Sequence, residues 1–386
     1  AKQAELGAVF GLNYGWEHPL YFDAETPDSA GFTRQPWWQS VEREARMLRE
    51  RAGIIDISNF AKYRVTGPGA GDWLNAVFAN HMPREVGRSC LTPLIGIRGG
   101  IAGDFTVTRL APEEFWVIGS GMAERFHQRF FRAVPLPDGT TFESLTESVA
   151  GFNVAGPRAR DLLQRLTHAD LSNEAFPFFR SARIDVAGVP CVALRVSFTG
   201  DLGWELHVAE ADQPTLYDAL LSAAEEFDAG PVGSRALMSL RVEKGYGSWG
   251  LDYSPEYWPK ECGLAVLVRA DKDLLNKDAW QANKYKPPRE KIVLMEIDAA
   301  DADATGGEPI FLPFGTPAGQ VSSGAYGYSV GASLAIAYLK AAYSIPVTEV
   351  DVAILGRSHR ARLLDKPPFD PKGNRLRDIE EMPALT

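Results

Sequence analysis

Residues 195–208, RVSFTGDLGWELHV, constrain the fold more than any other stretch of this chain. The first half alternates apolar and polar residues as a strand does, Thr199-Gly200-Asp201 supplies a turn, and residues 202–208 resume an extended run. Glu205 stands between Trp204 and Leu206. If those neighbours are buried, a carboxylate is held at the edge of an apolar wall. A carboxylate only accepts, so it suits two parallel N–H bonds from a flat, nitrogen-rich heterocycle. From this segment alone, a hairpin with a solvated Glu is the slightly better reading. A second stretch shifts the balance: in GGIAGDFTVTR, residues 99–109, Asp104 follows a Gly-rich turn and opens a strand.

Taken in order, the chain repeats one grammar. Residues 1–35 include LNYGWEHPLYFD, rich in aromatics and without helical period, and read as an extended arm laid over a core. Pro36-Trp37-Trp38 leads into a helix where Val41, Ala45 and Leu48 recur at helical spacing, with Gly53 as its C-cap. Strands are expected at 54–58 and 62–66, then a short helix DWLNAVFAN after the GPGAG turn. FTVTRL and EFWVIGS predict a hairpin across Ala111-Pro112-Glu113, followed by a helix over 123–134. The grammar restarts at Phe152: VAGP precedes the helix RARDLLQRL as VTGP precedes the earlier one, which reads as a weak internal duplication. Strands ARIDVAG and CVALRVSFTG lead to the central stretch, PTLYDALLSAAEEF reads as an amphipathic helix, and residues 234–247 as a helix carrying Arg235 and Arg241. The Pro- and charge-rich NKYKPPREK, residues 283–291, marks a domain boundary. Short strands with turns at GGEP and PFGTPAG then predict a small β domain, and the tail after Asp365 is expected to drape over another surface.

Composition narrows the function class. A length of 386 residues exceeds one ordinary domain, and a net charge of −10 without a basic stripe argues against a nucleic-acid partner. Cys90, Cys191 and Cys262 are odd in number and scattered, which fits a reducing compartment and neither disulfides nor zinc. The six histidines show no paired spacing, so no metal is expected. No apolar run reaches membrane-spanning length and no signal pattern opens the chain, so no membrane role and a cytoplasmic location are expected. The first residue is Ala, which predicts a chain processed, trimmed or cut from something longer. Residues 245–250, GYGSWG, match G-x-G-x-x-G but follow a helix where a dinucleotide loop needs a strand, so no flavin site is assigned.

DISNFAKYRVTGP, RGGIAGDFTVTRL, VAGPRARDLL, RVSFTGDLGWELHV and SLRVEKGYGSWGLD together resemble the folate-dependent aminomethyltransferase family, the T-protein of glycine cleavage and its relatives. The resemblance runs over about residues 11–363. Within the family, GWEHPLYF and RALMSLR are similar to the tetrahydrofolate-binding C-terminal half of dimethylglycine and sarcosine dehydrogenases, which also carry a flavin domain. The resemblance implies an α+β fold, a three-subdomain cloverleaf around a central folate channel. Residues 1–288 would form the core of two related subdomains, and 289–386 a β-barrel-like domain and tail. It implies Asp104 as the catalytic carboxylate, Glu205 as the grip on the pterin, and Arg241 at a functional arginine position. Trp204 and Phe198 are assigned with them to the cofactor pocket.

The chain also departs from the family pattern. Phe198 stands where relatives have Tyr, Gly96 where they have Asn, and Met238 where they have Asp. The loop after Asp252 carries Tyr253, Tyr257 and Trp258 where relatives are small, acidic or Pro. Together with Tyr14 and Trp16, these are the expected donor-binding residues, an aromatic wall for a methylated cation or a methoxylated ring. The alternative is a loop packed on the β domain. The activity implied is tetrahydrofolate-dependent transfer of a methyl or aminomethyl unit from a methylated small-molecule donor, giving 5-methyl- or 5,10-methylene-tetrahydrofolate. The rivals are a stand-alone O- or S-methyl demethylase, and a folate-binding subunit or domain that captures formaldehyde or an iminium from a flavoprotein partner.

Overall fold

A computed structural model of the chain describes residues 1–13, 15–346 and 348–379. Alternation in AKYRVT puts Ala61, Tyr63 and Val65, all fully buried, on one face of strand Ala61–Thr66. They join Phe105, Val107, Phe115 and Val117 of neighbouring strands beneath helices Ala70–Val77 and Glu124–Phe131. The sheet is antiparallel, in the order Arg88–Ile95, Ile101–Ala111, Glu114–Gly119, Ala61–Thr66, Thr141–Ser144. The hairpin across Ala111-Pro112-Glu113 forms as expected, Ala111 opposite Glu114.

A second sheet has the order Ser181–Val186, Val189–Leu194, Gly203–Ala209, Val149–Ala155, Gly53–Asp56, Gly230–Val232. One face, with Phe152, Val154, Trp204 and Leu206, packs under helices Ala159–Gln164 and Gln213–Glu225. The VTGP and VAGP turns each hold a glycine in the left-handed region. Gly67 and Gly156 have φ of 116° and 124° between strand and helix. A Cβ there would lie 2.3 Å from the Gly139 oxygen or 2.4 Å from the Leu48 oxygen, so each turn requires glycine.

The third lobe is a closed six-stranded barrel, Glu290–Ile297, Ala332–Lys340, Pro317–Gly327, Pro309–Phe311, Glu349–Ile354 and Arg357–Leu364. Met295, Ile310, Val321, Leu339 and Val352 fill it. Helix Ser234–Glu243 joins the lobes: Ala236 and Leu240 pack on helix Trp37–Glu50, while Ser239 donates to the Tyr326 carbonyl of the barrel at 2.6 Å. The tail returns to the second sheet, where Asp370 pairs with Lys244 at 2.8 Å and Arg375 with Asp201 at 2.7 Å.

Several local expectations fail for physical reasons. Strand Val189–Leu194 ends before Arg195, because the Arg195 guanidinium turns inward to the carbonyls of Phe176 and Arg377. The Ser197 and Thr199 hydroxyls then bond locally, at 2.7 Å, and draw the backbone out of the ladder. Gly53 opens a strand and does not cap the helix, which ends at Glu50. The N-terminal arm is a short helix, Lys2–Glu5, and a hairpin of Ala8–Asn13 with Trp16–Phe22. The helix expected over 234–247 stops at Glu243, with Gly245 at φ 65°. Among the described residues no helix is long and apolar enough to cross a membrane.

Candidate active site

Strand pairing decides which side chains meet. Thr106 lies opposite Ile118 and Ile118 opposite Lys62, so these three project to one face, which Asp104 shares two residues along its strand. In the second sheet Glu205 lies opposite both Leu194 and Asn153, and with His207 it projects away from the Trp204 and Leu206 face. The two faces pack on each other through Trp116, Ile118, Val192 and Leu194, with the Trp116 ring 6.1 Å from that of His207. Asp104 and Glu205 therefore stand on the two sheet faces that pack on each other.

Asp104 owes its place to the glycine turn before it. Gly99 has φ 80°, and a Cβ on Gly100 would fall 2.0 Å from the Pro255 oxygen, so the loop after Asp252 lies directly on the turn. The Ile101 amide donates to the Tyr257 carbonyl at 3.0 Å, which locks the two together. Burial pushes the Asp104 carboxyl up to about 6, with the charge of Asp252 adding to it. Burial and the Asp104 charge together raise the Tyr253 phenol above its ordinary value. No described side chain hydrogen-bonds to the Asp104 carboxylate.

On the other wall Glu205 is 9% exposed, and its Oε2 lies 3.3 Å from His207 Nε2. Burial holds His207 below its ordinary value, against the pull of Glu205, and its Nδ1 has no hydrogen-bond partner among the described residues. Lys62 is fully buried, and its Nζ donates to the carbonyls of Ser58 and Phe60 at 2.7 and 2.9 Å. Burial pushes it down to about 8, opposed by Asp56, Glu205 and Glu124. The two facing surfaces thus carry the carboxyl groups of Asp104 and Glu205 and the buried amine of Lys62. An N–H-rich pterin fits this donor set, because Glu205 Oε1 receives no hydrogen bond from a described residue.

The remaining assignments divide. Phe198 is half-buried and stacks on Tyr246, ring centroids 6.1 Å apart. Arg241 is 1% exposed and committed within the protein: Nη1 bonds the Tyr246 carbonyl at 2.9 Å and Asp252 at 2.5 Å. Asp252 in turn accepts from Ser322 and Ser323 of the barrel. Trp204 needs correction as a pocket residue. It is fully buried on the opposite face of the sheet from Glu205, among Phe176, Arg160 and Arg195, because neighbours on a strand point to opposite sides.

The aromatic wall needs correction too. The Tyr253 ring packs against Gly247, and Tyr257 stacks flat on Tyr338 at 3.5 Å. The Arg289 guanidinium lies 4.2 Å over the Trp258 ring, and Trp258 lines a separate 260 Å³ cavity with Trp280 and Lys284. The three rings do not form one surface. Trp16 is half-exposed where the N-terminal hairpin turns, and Tyr14 lies outside the described residues.

Nothing in the local sequence marks Lys62 or His207 as buried beside Glu205. Alternation alone places Lys62, with Arg64 and Thr66, on the outer face of its strand. Only the second sheet, laid across that face, turns an outward lysine into a buried one.

The GCVT N-terminal domain model matches residues 1–272, and the glycine cleavage T-protein C-terminal barrel domain model matches residues 290–370. Mitochondrial dimethylglycine dehydrogenase of Mus musculus is 33% identical over 95% of this chain and 43% of its own length. The 4-methylaminobutanoate oxidase (formaldehyde-forming) of Paenarthrobacter nicotinovorans is 30% identical over 98% of this chain and 46% of its own. An aminomethyltransferase of Symbiobacterium thermophilum is 29% identical over 94% of both chains. The chain thus spans under half the length of the dehydrogenases and oxidase it matches. In fold it is similar to the glycine cleavage system aminomethyltransferase T from Bartonella henselae, with a TM-score of 0.83 at 23% identity over 96% of each chain.

Proposed function

The chain belongs to the glycine cleavage T-protein family, and we propose that it transfers a one-carbon unit to tetrahydrofolate: a methyl group from a methylated donor, as a demethylase-type enzyme giving 5-methyl-tetrahydrofolate, or an aminomethyl unit from an aminomethyl donor, giving 5,10-methylene-tetrahydrofolate with release of the amine. What supports the reading is the pair of carboxylates, Asp104 and Glu205, carried on the two sheet faces that pack on each other. Tetrahydrofolate supplies the nucleophilic nitrogen when bound. Glu205 accepts pterin N–H groups and sets the ring's orientation. Asp104, with a carboxyl near 6, takes up the proton that the reacting nitrogen releases and returns it to solvent. Trp116, Ile118 and Leu194 line the apolar contact between the sheets and limit water there. Incubating the chain with tetrahydrofolate and a panel of methylated amines, ethers and thioethers, with no flavoprotein present, tests this. Folate-dependent loss of a methyl group from one donor supports it, and no turnover of any donor counts against it.

A second reading is favoured by the partial coverage of the dehydrogenase and oxidase relatives. In that reading the chain is the folate-binding part of a larger or two-subunit amine dehydrogenase and captures formaldehyde or an iminium made at a flavin elsewhere. Free formaldehyde condensing on tetrahydrofolate faster with the chain than without it, in the absence of methyl-donor turnover, would select this reading.

A further inference from the structure

Two walls close on the Gly99–Gly100 turn and leave a cavity between them. One wall is the segment after Asp252, held to the turn by the Tyr257 carbonyl, which accepts from the Ile101 amide at 3.0 Å. The other is helix Lys277–Lys284. Its Ala279 carbonyl lies 2.5 Å from where a Cβ on Gly99 would stand, and its Asn283 amide donates to the Arg98 carbonyl at 3.0 Å. Lys260 ties the walls together: its Nζ donates to the carbonyls of Asn283 and Lys284 at 2.7 and 3.1 Å and to that of Lys286. The 260 Å³ cavity between them has Trp258, Trp280, Pro259 and Val268 as apolar lining and Lys260 and Lys284 as charged lining. Asp104, Glu205 and Phe198 do not line it.

Charge decides what such a cavity takes. Its lining holds two lysines and no carboxylate, in a chain of net charge −10. Glu261, next to Lys260 in sequence, is committed to the Arg289 guanidinium and to the Trp258 and Arg289 amides. Lys260 spends its three donors on carbonyls and brings only its charge. Lys284 Nζ lies 5.0 Å from the Trp280 ring centre and makes no hydrogen bond or ion pair with a described residue, so its donors are free. Both indole rings already carry cations, Lys284 on Trp280, and Arg289 and Lys260 at 4.2 and 5.2 Å on Trp258. A methylated cation would therefore meet like charge here, whereas an anion meets two ammonium groups.

We propose that this cavity is a binding site, separate from the carboxylate pair, for a small aromatic carboxylate. The ring lies against Trp258, Trp280 and Val268, and the carboxylate accepts from Lys284 beside the charge of Lys260. The volume is below the roughly 300–1,000 Å³ of sites for drug-sized ligands, which limits the occupant to one or two fused rings. The benzoyl-glutamate end of tetrahydrofolate has the same chemistry, so the test separates that source from a free acid.

The test is calorimetry of the full chain with 2-naphthoate at neutral pH. Saturable binding with a Kd of about 0.1–1 mM is expected, weakening as salt is added. The uncharged 2-naphthamide should bind about tenfold more weakly, and 2-naphthylmethylamine should not bind. Lys284→Gln should weaken naphthoate about tenfold and leave naphthamide unchanged. Ala265→Trp, at an exposed lining position, should block both probes at an unaltered melting temperature. If that variant does not fold, Lys284→Gln still decides, because its side-chain amine bonds no described residue. Naphthoate affinity should be the same with saturating tetrahydrofolate present. No saturable naphthoate binding, equal binding of the three probes, or full affinity in Lys284→Gln overturns the proposal. Displacement of naphthoate by tetrahydrofolate gives the cavity to the folate's own benzoyl-glutamate end and overturns the separate site. A chain that binds naphthoate and no tetrahydrofolate keeps this site and loses the folate reading.

Discussion

Asp104, the proposed catalytic carboxylate, carries an energetic penalty. Its folded-state value of about 6 lies above its ordinary 3.8, so the folded protein holds the proton more tightly than the unfolded chain. That contribution to stability is fully present below 3.8 and is lost as the pH rises through about 6. Asp104→Asn should accordingly melt higher than wild type near pH 7.5 and lose that advantage at acid pH, as calorimetry can check. The same substitution should cut turnover by about 10²–10⁴ with folate affinity little changed. In the wild type, kcat/KM should fall as the pH drops below about 6, because the base must be ionised. Glu205→Gln keeps the shape and loses charge-assisted bonds, so folate affinity should weaken by roughly 1.5–3 kcal/mol in a titration.

Helix Ser234–Glu243 and the loop after it act as one piece, held by the Arg241–Asp252 pair and its serine donors. Asp252→Ala leaves Arg241 buried without its carboxylate and should cost about 3–5 kcal/mol of stability in urea unfolding, and it should move the acid limb of turnover by the folded fraction to lower pH, because the Asp252 charge that helps raise Asp104 is gone. The aromatic residues of this loop divide by what they touch. Tyr257→Ala removes the Tyr338 stack and should lower the melting temperature. Trp258→Ala, which uncovers Arg289, should leave donor KM unchanged, whereas Tyr253→Ala should raise it. Kinetics on the three variants separates a donor contact from packing.

Across the whole molecule the tail ties the barrel end of the chain back to the second sheet. Phe369 lies under the Arg49 guanidinium at 3.6 Å, Arg195 donates to the Arg377 carbonyl, and Arg160 pairs with Asp378. Lys244 and Asp370 are each nearly buried in their pair. Ending the chain at Asp365 would strand Lys244 and Arg195. A loss of about 3–5 kcal/mol is expected, read as a lower urea midpoint in a chain whose barrel is still folded.

The sequence by itself determined the elements whose pattern is local. The alternation in AKYRVT and GWELHV, the strand–glycine–proline–helix turns at Gly67 and Gly156, and the run of short strands after residue 290 all follow from backbone preference and periodicity. The turn glycines before Asp104 and the isolation of Glu205 between two core residues were readable for the same reason. Only the tertiary structure decided what covers each face. A period of two separates Trp204 from Glu205 but does not say which side meets helices and which meets another sheet. The same pattern marks Lys62 as outward without revealing that the outside is occupied. Arg241, Trp258 and the end of the strand before Arg195 were misjudged because their partners, Asp252, Arg289 and the Phe176 and Arg377 carbonyls, are brought to them by folding and lie at distances along the chain that no local pattern encodes.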